Sequence, residues 1–213
     1  MRPTVFRGRI RCAGAVDNSP IGLLDEPILP QHGGTHHVVF YPFKEGIGTT
    51  TIVQRLCGSD PTNPNPSSGI NGYRAVWSIE MDSIGTIRYE NFFLWDISRE
   101  SIENTDLGEA SLKTARVIIL LIPVDDRTKI QELITWYQEN ITESQRVIVV
   151  ITQCDRVECA QIRPSDVENL SATLHTSVIQ VSAANVTPQE RYALHQTLRK
   201  LVLAIADNLP QRV

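Results

Sequence analysis

The chain has 213 residues and a formal net charge of −4, with 41% hydrophobic and 21% charged residues. This length and composition suit one medium-sized α/β domain with flanking tails. The slightly acidic balance argues against nucleic acid, or an anionic membrane surface, as a partner held by bulk charge. The four cysteines show no framework spacing, so we expect reduced thiols in a cytoplasmic protein. Because we find no membrane span, signal peptide or lipidation motif, we also expect no direct membrane or lipid anchor.

Two regions are expected along the chain. Residues 1–35 are rich in glycine, proline and turn-forming residues and predict an N-terminal extension, whereas residues 36–213 alternate between strand and helix patterns and predict one domain. The predicted strands are 37–41, 73–81, 86–95, 117–124, 147–151 and 178–181. The predicted helices are 50–57, a segment around 130–137, a segment opened by a capping box at Ser165 and Glu168, and a last helix beginning near Thr187.

The pattern of these elements predicts an α/β fold. The aliphatic runs at 117–124 and 147–151 are typical of strands covered on both faces. Between them, apolar residues recur over 130–137 with the spacing of an amphipathic helix. The β-rich runs at 73–81 and 86–95 predict an antiparallel hairpin. We therefore predict a six-stranded, mostly parallel sheet with one antiparallel strand, helices on both faces, and a site at the carboxyl ends of the strands.

A degenerate phosphate-binding loop lies between the first predicted strand and helix. The full motif is Gly-x-x-x-x-Gly-Lys-Ser/Thr, in which backbone N–H groups cradle phosphates, the lysine neutralises them and the hydroxyl ligates Mg²⁺. In the matching frame, Gly48 and the hydroxyl of Thr50 are present. However, Phe43 replaces the first glycine and Thr49 replaces the lysine. An aromatic ring at position 43 is expected to fill part of the phosphate cavity.

Three further fragments follow predicted strands. Residues 94–100, Leu-Trp-Asp-Ile-Ser-Arg-Glu, resemble the Leu-Trp-Asp-x-x-Gly-Gln stretch of Ras-like GTPases, with Arg99 and Glu100 in place of the glycine and glutamine. Residues 152–155, Thr-Gln-Cys-Asp, resemble that family's guanine-recognition motif, and residues 182–184 resemble its Ser-Ala-Lys motif. Each fragment is weak alone, but their order and spacing along the chain resemble those of the Ras-like small GTPases and imply that family's three-layer P-loop fold.

The resemblance implies a role for each matching residue. The aspartate at 96 would reach Mg²⁺ through water, and the aspartate at 155 would accept hydrogen bonds from guanine. Under this resemblance the nucleotide-binding residues are Gly46, Gly48, Thr49, Thr50, Thr51, Gln153, Asp155, Ser182 and Ala183, and the Mg²⁺ site is Thr50, Ser67 and Asp96. The missing lysine removes a contact worth roughly 1.5–3 kcal/mol, and no glutamine orients a water molecule. The preferred expectation is therefore no bound nucleotide and negligible hydrolysis, with GTP or GDP and Mg²⁺ as the alternative.

A narrower resemblance concerns residues 20–155. Gly-Leu-Leu-Asp-Glu-Pro-Ile-Leu-Pro at 22–30, Ser-Gly-Ile at 68–70, the hairpin and Leu-Trp-Asp are similar to the Rem/Rab-like small GTPases of the ciliogenesis and planar-polarity effector group. This resemblance implies protein partners in a multi-subunit complex that assembles cilia, at the ciliary base. It also implies that the hairpin, the proline-rich loop before it at 61–69 and the region 96–107 form the partner surface.

Three hypotheses follow. In the first, a pseudo-GTPase serves as a fixed interaction module. In the second, the domain is a GTP-binding switch with an atypical loop. In the third, it is an unrelated doubly wound domain, which a sheet without the antiparallel strand would favour. Arg99 is interpreted either as a substitute for the positive charge of the missing lysine or, preferably, as a solvated arginine. The polar, acidic segment 99–109 is expected to be a mobile or partner-ordered loop.

Overall fold

A computed structural model of the chain describes residues 10–11, 35–58, 69–80, 87–183 and 188–209. Several expectations lie outside these ranges. They are the proline-rich loop, the turn of the hairpin, Thr187, Ser67 and the N-terminal extension apart from residues 10–11.

The sheet has the mostly parallel architecture that the sequence predicts. Its strands, in chain order, are β1 Ile10–Arg11, β2 Thr35–Pro42, β3 Ile70–Glu80, β4 Ile87–Ile97, β5 Val117–Pro123, β6 Arg146–Thr152 and β7 Val178–Gln180. They are arranged in the order β1-β3-β4-β2-β5-β6-β7. Strands β4, β2, β5, β6 and β7 are parallel to one another, and β3 is antiparallel to β4. The predicted six strands and hairpin are confirmed. The short β1, which pairs antiparallel with β3, was not predicted.

Helices cover both faces of the sheet, as predicted. They are α1 Thr49–Leu56, α2 Arg99–Asn104, α3 Asp106–Thr114, α4 Thr128–Asn140, α5 Pro164–Leu174 and α6 Pro188–Asp207. Helices α1 and α6 pack on one face, where the buried residues of α6 include Leu194, Leu198, Leu201, Val202 and Ile205. The other helices pack on the opposite face, where Leu133 of α4 is fully buried. Between these layers every residue of β5 is buried, which explains its uninterrupted aliphatic sequence. None of the described helices is long and apolar enough to cross a bilayer.

The segment after β4 is helical, so the prediction of a loop at 99–109 is wrong. The Ser98 side chain accepts a hydrogen bond from the Ser101 amide, and the Thr105 side chain accepts one from the Gly108 amide, so that each caps a helix. A Cβ atom at Gly108 would lie only 2.6 Å from Cα of Ile102. Glycine therefore allows α2 and α3 to pack closely.

The start of α5 also differs from the prediction. The helix begins at Pro164, and the Asp166 carboxylate accepts a hydrogen bond of 2.9 Å from the Arg163 amide. The predicted pair, Ser165 and Glu168, therefore does not cap this helix. The capping box was therefore predicted two residues too late in the chain. Aspartate at the third helical position accepts the hydrogen bond that glutamate accepts in the usual motif.

Candidate functional site

The loop that joins β2 to α1, residues 43–48, has two left-handed glycines. Gly46 has φ 72° and Gly48 has φ 88°, a conformation that favours glycine over residues with a Cβ atom. Gly48 also caps α1, so that Thr49, Thr50 and Thr51 form its first turn. This places the N-terminus of a helix, which carries a partial positive charge, at the carboxyl end of β2.

The Phe43 side chain lies in the hydrophobic core. It is 1% exposed, and its ring centroid lies 5.1 Å from that of Tyr41 and 6.0 Å, edge-on, from that of Trp136. Its amide donates to the Leu121 carbonyl, which extends the pairing of β2 with β5 by one residue. The aromatic residue that replaces the first motif glycine is therefore part of the packing between the sheet and α4.

Carboxylates neutralise the two cations at the edge of this loop nearest β5 and β6. The Lys44 Nζ lies 3.9 Å from Asp125 Oδ1 and 3.7 Å from Asp126 Oδ2, just beyond the end of β5. The Arg156 Nη1 lies 3.3 Å from Asp125 Oδ2. Glu45 is exposed beside Lys44. The positive charges of Lys44 and Arg156 are therefore matched by carboxylates of the protein, and Glu45 adds a further negative charge.

Arg99 is held by two carboxylates. Its Nε donates to Glu103 Oε1 at 2.8 Å, and its Nη1 donates to Glu132 Oε1 and, at 3.4 Å, to the Phe43 carbonyl. Its guanidinium carbon also lies 6.0 Å from the centroid of the Phe43 ring. Partial burial acts to lower the pKa of Arg99, but the hydrogen bonds to Glu103 and Glu132 raise it above its ordinary value. The preferred interpretation of Arg99 as a solvated loop residue is therefore wrong.

Asp96 lies near the carboxyl end of β4. It is 2% exposed, and its Cα atom is in register with Phe40 of β2 and Asn71 of β3. Since β2 ends two residues after Phe40, Asp96 and the first turn of α1, which contains Thr50, lie at the same end of the sheet. Ser67, the third member of the expected Mg²⁺ site, lies outside the described residues.

The residues expected to recognise guanine come together in the structure. The Ser182 hydroxyl donates to Asp155 Oδ1 at 2.9 Å. The Cys154 amide donates to the Val181 carbonyl at 3.3 Å, which brings the segment that contains Asp155 next to the one that contains Ser182 and Ala183. Gln153 has φ 59°, and its side-chain amide donates to the Gly46 carbonyl at 3.1 Å. The structure thus joins the segment after β6 both to the segment after β7 and to the loop before α1.

The described cysteines fit the expectation of reduced thiols. Cys57, Cys154 and Cys159 form no disulfide with one another. Burial raises the pKa of the Cys154 thiol to about 11, which leaves little reactive thiolate near neutral pH. In the described ranges, no group of three or more His, Cys, Asp or Glu side chains forms a metal-binding cluster.

A cluster of aromatic side chains on β2 and β4 was missed at the sequence level. The ring of His37 stacks on that of Phe93 with centroids 5.6 Å apart, and the rings of Phe93 and Trp95 are 4.6 Å apart. The Trp95 indole N–H donates to His37 Nδ1 at 3.1 Å. The Phe93 ring lies over Gly72 of β3, where a Cβ atom would come within 2.5 Å of it. We call these three side chains and Gly72 the aromatic patch. The alternation of β4, which places residues 93 and 95 on one face, could have revealed it.

Comparison with known proteins adds no family assignment. No family model matches the chain, and no curated protein matches it. The structure by itself therefore establishes an α/β domain with a mostly parallel sheet, one antiparallel hairpin and helices on both faces.

Proposed function

We propose that this chain is a degenerate Ras-like domain that acts as a protein-interaction module, with weak or absent GTP binding and negligible hydrolysis. One observation carries this proposal. Both residues that could replace the missing lysine, Lys44 and Arg99, are already engaged by carboxylates. A triphosphate that recruited Lys44 or Arg99 would have to compete with these carboxylates.

The energetic argument rests on charge. A GTP triphosphate carries about four negative charges, and protein sites neutralise them with lysine, backbone N–H groups and Mg²⁺. Replacing the lysine with Thr49 removes a charge-assisted contact worth roughly 1.5–3 kcal/mol. The exposed carboxylate of Glu45 adds repulsion in the same loop. Since 1.4 kcal/mol is a tenfold change in affinity, the lysine alone accounts for about ten- to a hundredfold.

The alternative, a GTP-binding switch with an atypical loop, is favoured by one arrangement. The hydrogen bond between Ser182 and Asp155 orients a carboxylate at the crevice, as a guanine site would need. The left-handed glycines at 46 and 48 also suit a phosphate-binding turn. A GTP complex with Mg²⁺ is the cofactor of this alternative. The third hypothesis, an unrelated doubly wound domain, has less support because β3 is antiparallel.

The aromatic patch is our candidate for the partner surface. Phe93 and Trp95 lie on the hairpin strand β4, which leads directly to α2. Aromatic side chains contribute much of the binding energy at protein interfaces. By resemblance to the ciliogenesis and planar-polarity effector group, we propose a multi-subunit protein complex at the ciliary base, in which this surface, the hairpin and α2 contact a partner.

Titration calorimetry with GTP and Mg²⁺ tests the proposal for the nucleotide. The wild-type protein should show no binding in the micromolar range, whereas Thr49→Lys should raise the affinity about tenfold or more. Thr114→Lys is a matched control, because it makes the same change at the exposed end of α3 and should have no effect. Micromolar binding by the wild-type protein would refute the proposal.

Quantitative co-purification from the native cell tests the proposal for the surface. Phe93→Ala should reduce recovery of specific partners at least tenfold, since central aromatic contacts are worth about 2 kcal/mol or more. Val157→Ala is a suitable control because Val157 is 77% exposed in the segment after β6 and lies outside the proposed surface. Equal recovery of the same partners by wild type and Phe93→Ala would exclude the aromatic patch as their contact.

A further inference from the structure

A network of side chains around Arg99 joins β2, the β2–α1 loop, α2 and α4. Its guanidinium lies between Glu103 of its own helix and Glu132 of α4, and contacts the backbone of the β2–α1 loop at Phe43. The Tyr41 hydroxyl on β2 donates to Glu103 Oε1 at 2.9 Å. Helix α2 is thereby connected to the sheet, to the loop and to α4.

The charges within this network are mutually satisfied. Glu132 also accepts a hydrogen bond of 2.5 Å from Lys129, through its second oxygen. Partial burial acts to raise the pKa of Glu132, but the hydrogen bonds from Lys129 and Arg99 lower it. The carboxylate is therefore ionised near neutral pH, and it attracts the guanidinium across the gap between α2 and α4.

Helix α2 needs such an external connection. It has six residues, fewer than an isolated helix requires for stability in water. Its one buried residue is Ile102. The middle of α2 packs against Gly108 of α3 and Ser98 caps its first turn, but the contacts of its first residue to α4 and to the β2–α1 loop come from the Arg99 side chain. Removal of the guanidinium should therefore loosen the start of the helix.

We propose that the side chains of Tyr41, Arg99, Glu103 and Glu132 form a latch that fixes α2 against α4 and the β2–α1 loop, whether or not a ligand occupies the crevice. This inference rests on the proposed function, because it describes how α2, which is part of the proposed interaction surface, is held in place. The surface is then permanently formed, and its shape is set by contacts within the protein.

Hydrogen exchange of the full chain tests the latch. The amides of Ser101 and Ile102, which donate to the side chain and carbonyl of Ser98, report on the start of α2. Arg99→Ala should speed their exchange about tenfold, since the lost hydrogen bonds are charge-assisted but the pair is partly exposed to solvent. Glu132→Ala removes only the link to α4 and should speed exchange to a smaller extent, and the double variant should differ little from Arg99→Ala because that variant already removes this link. Adding GTP and Mg²⁺ to the wild-type protein should leave these rates unchanged.

Lys113→Ala is the matched control, since it removes an exposed ion pair with Glu109 on α3 and should not change exchange in α2. Arg99→Lys keeps the positive charge but lacks the planar guanidinium that donates to two carboxylates at once. This variant is used in place of Arg99→Ala if Arg99→Ala does not fold. Exchange within twofold of wild type in Arg99→Ala, or in its replacement, would overturn the latch. So would a change at these amides on adding GTP. GTP binding in calorimetry without such a change would refute the proposed function and leave the latch supported.

Discussion

The burial of Phe43 leads to a prediction about stability. Phe43→Ala removes a side chain that is 1% exposed and packs against Tyr41 and Trp136. Truncation of a buried phenylalanine costs about 3–5 kcal/mol, from lost transfer free energy and the remaining cavity. The contact of the ring with the Arg99 guanidinium is included in that cost. Since a domain is stable by about 5–15 kcal/mol, this one change should remove a large part of the free energy of unfolding.

Urea unfolding followed by tryptophan fluorescence measures this effect. Trp136 lies 6.0 Å from Phe43, so its emission should report on the same part of the core. Phe43→Leu should cost less than about 1.5 kcal/mol if the site repacks. Leu107→Ala, at an exposed position, should stay within about 0.5 kcal/mol of wild type. A loss of under about 1 kcal/mol in Phe43→Ala would show that the ring is not a core residue.

Two other predictions follow from local structure. His175 ends α5 in a left-handed conformation, with φ 49° and ψ 42°. His175→Gly should therefore raise the free energy of unfolding by about 0.5–1 kcal/mol, because glycine adopts this conformation without strain. A lower melting temperature would contradict this prediction. The pKa of Glu132 is lowered in the folded state from its ordinary value of 4.5. Its ion pair should therefore stabilise the fold fully above pH 4.5, and this stabilisation should be lost as the pH falls through the lowered pKa. The stability difference between wild type and Glu132→Gln, measured by urea unfolding, should therefore shrink in acid; a difference that is constant from pH 7 to pH 3 would count against this assignment.

Much of the sheet could be predicted because its signals are local. The aliphatic sequences of β5 and β6 indicate strands buried on both faces, and the spacing within 130–137 indicates α4. The hairpin of β3 and β4 was also recognisable, although both strands are longer than expected. In each case the residues that carry the pattern are close together in sequence.

The errors arose where distant residues decide the outcome. Arg99 was interpreted without Glu132, which lies 33 positions later and accepts its hydrogen bond. The acidic composition of 99–109 suggested a loop, although Ser98 and Thr105 were readable as helix caps. Phe43 was treated as an intrusion into a cavity because the motif gives no indication that a core pocket exists beside it. Local patterns do not specify such tertiary partners.

The hydrogen bond from the Gln153 side chain to the Gly46 carbonyl has a consequence for the protein in the cell. A loop that is ordered by its ligand gains stability only while the ligand is supplied, by RT ln(1 + [L]/Kd). Here a side chain of the protein makes that connection, and it is present as soon as the chain has folded. Under the proposed function, the abundance of this protein should therefore be insensitive to a fall in the guanine nucleotide pool.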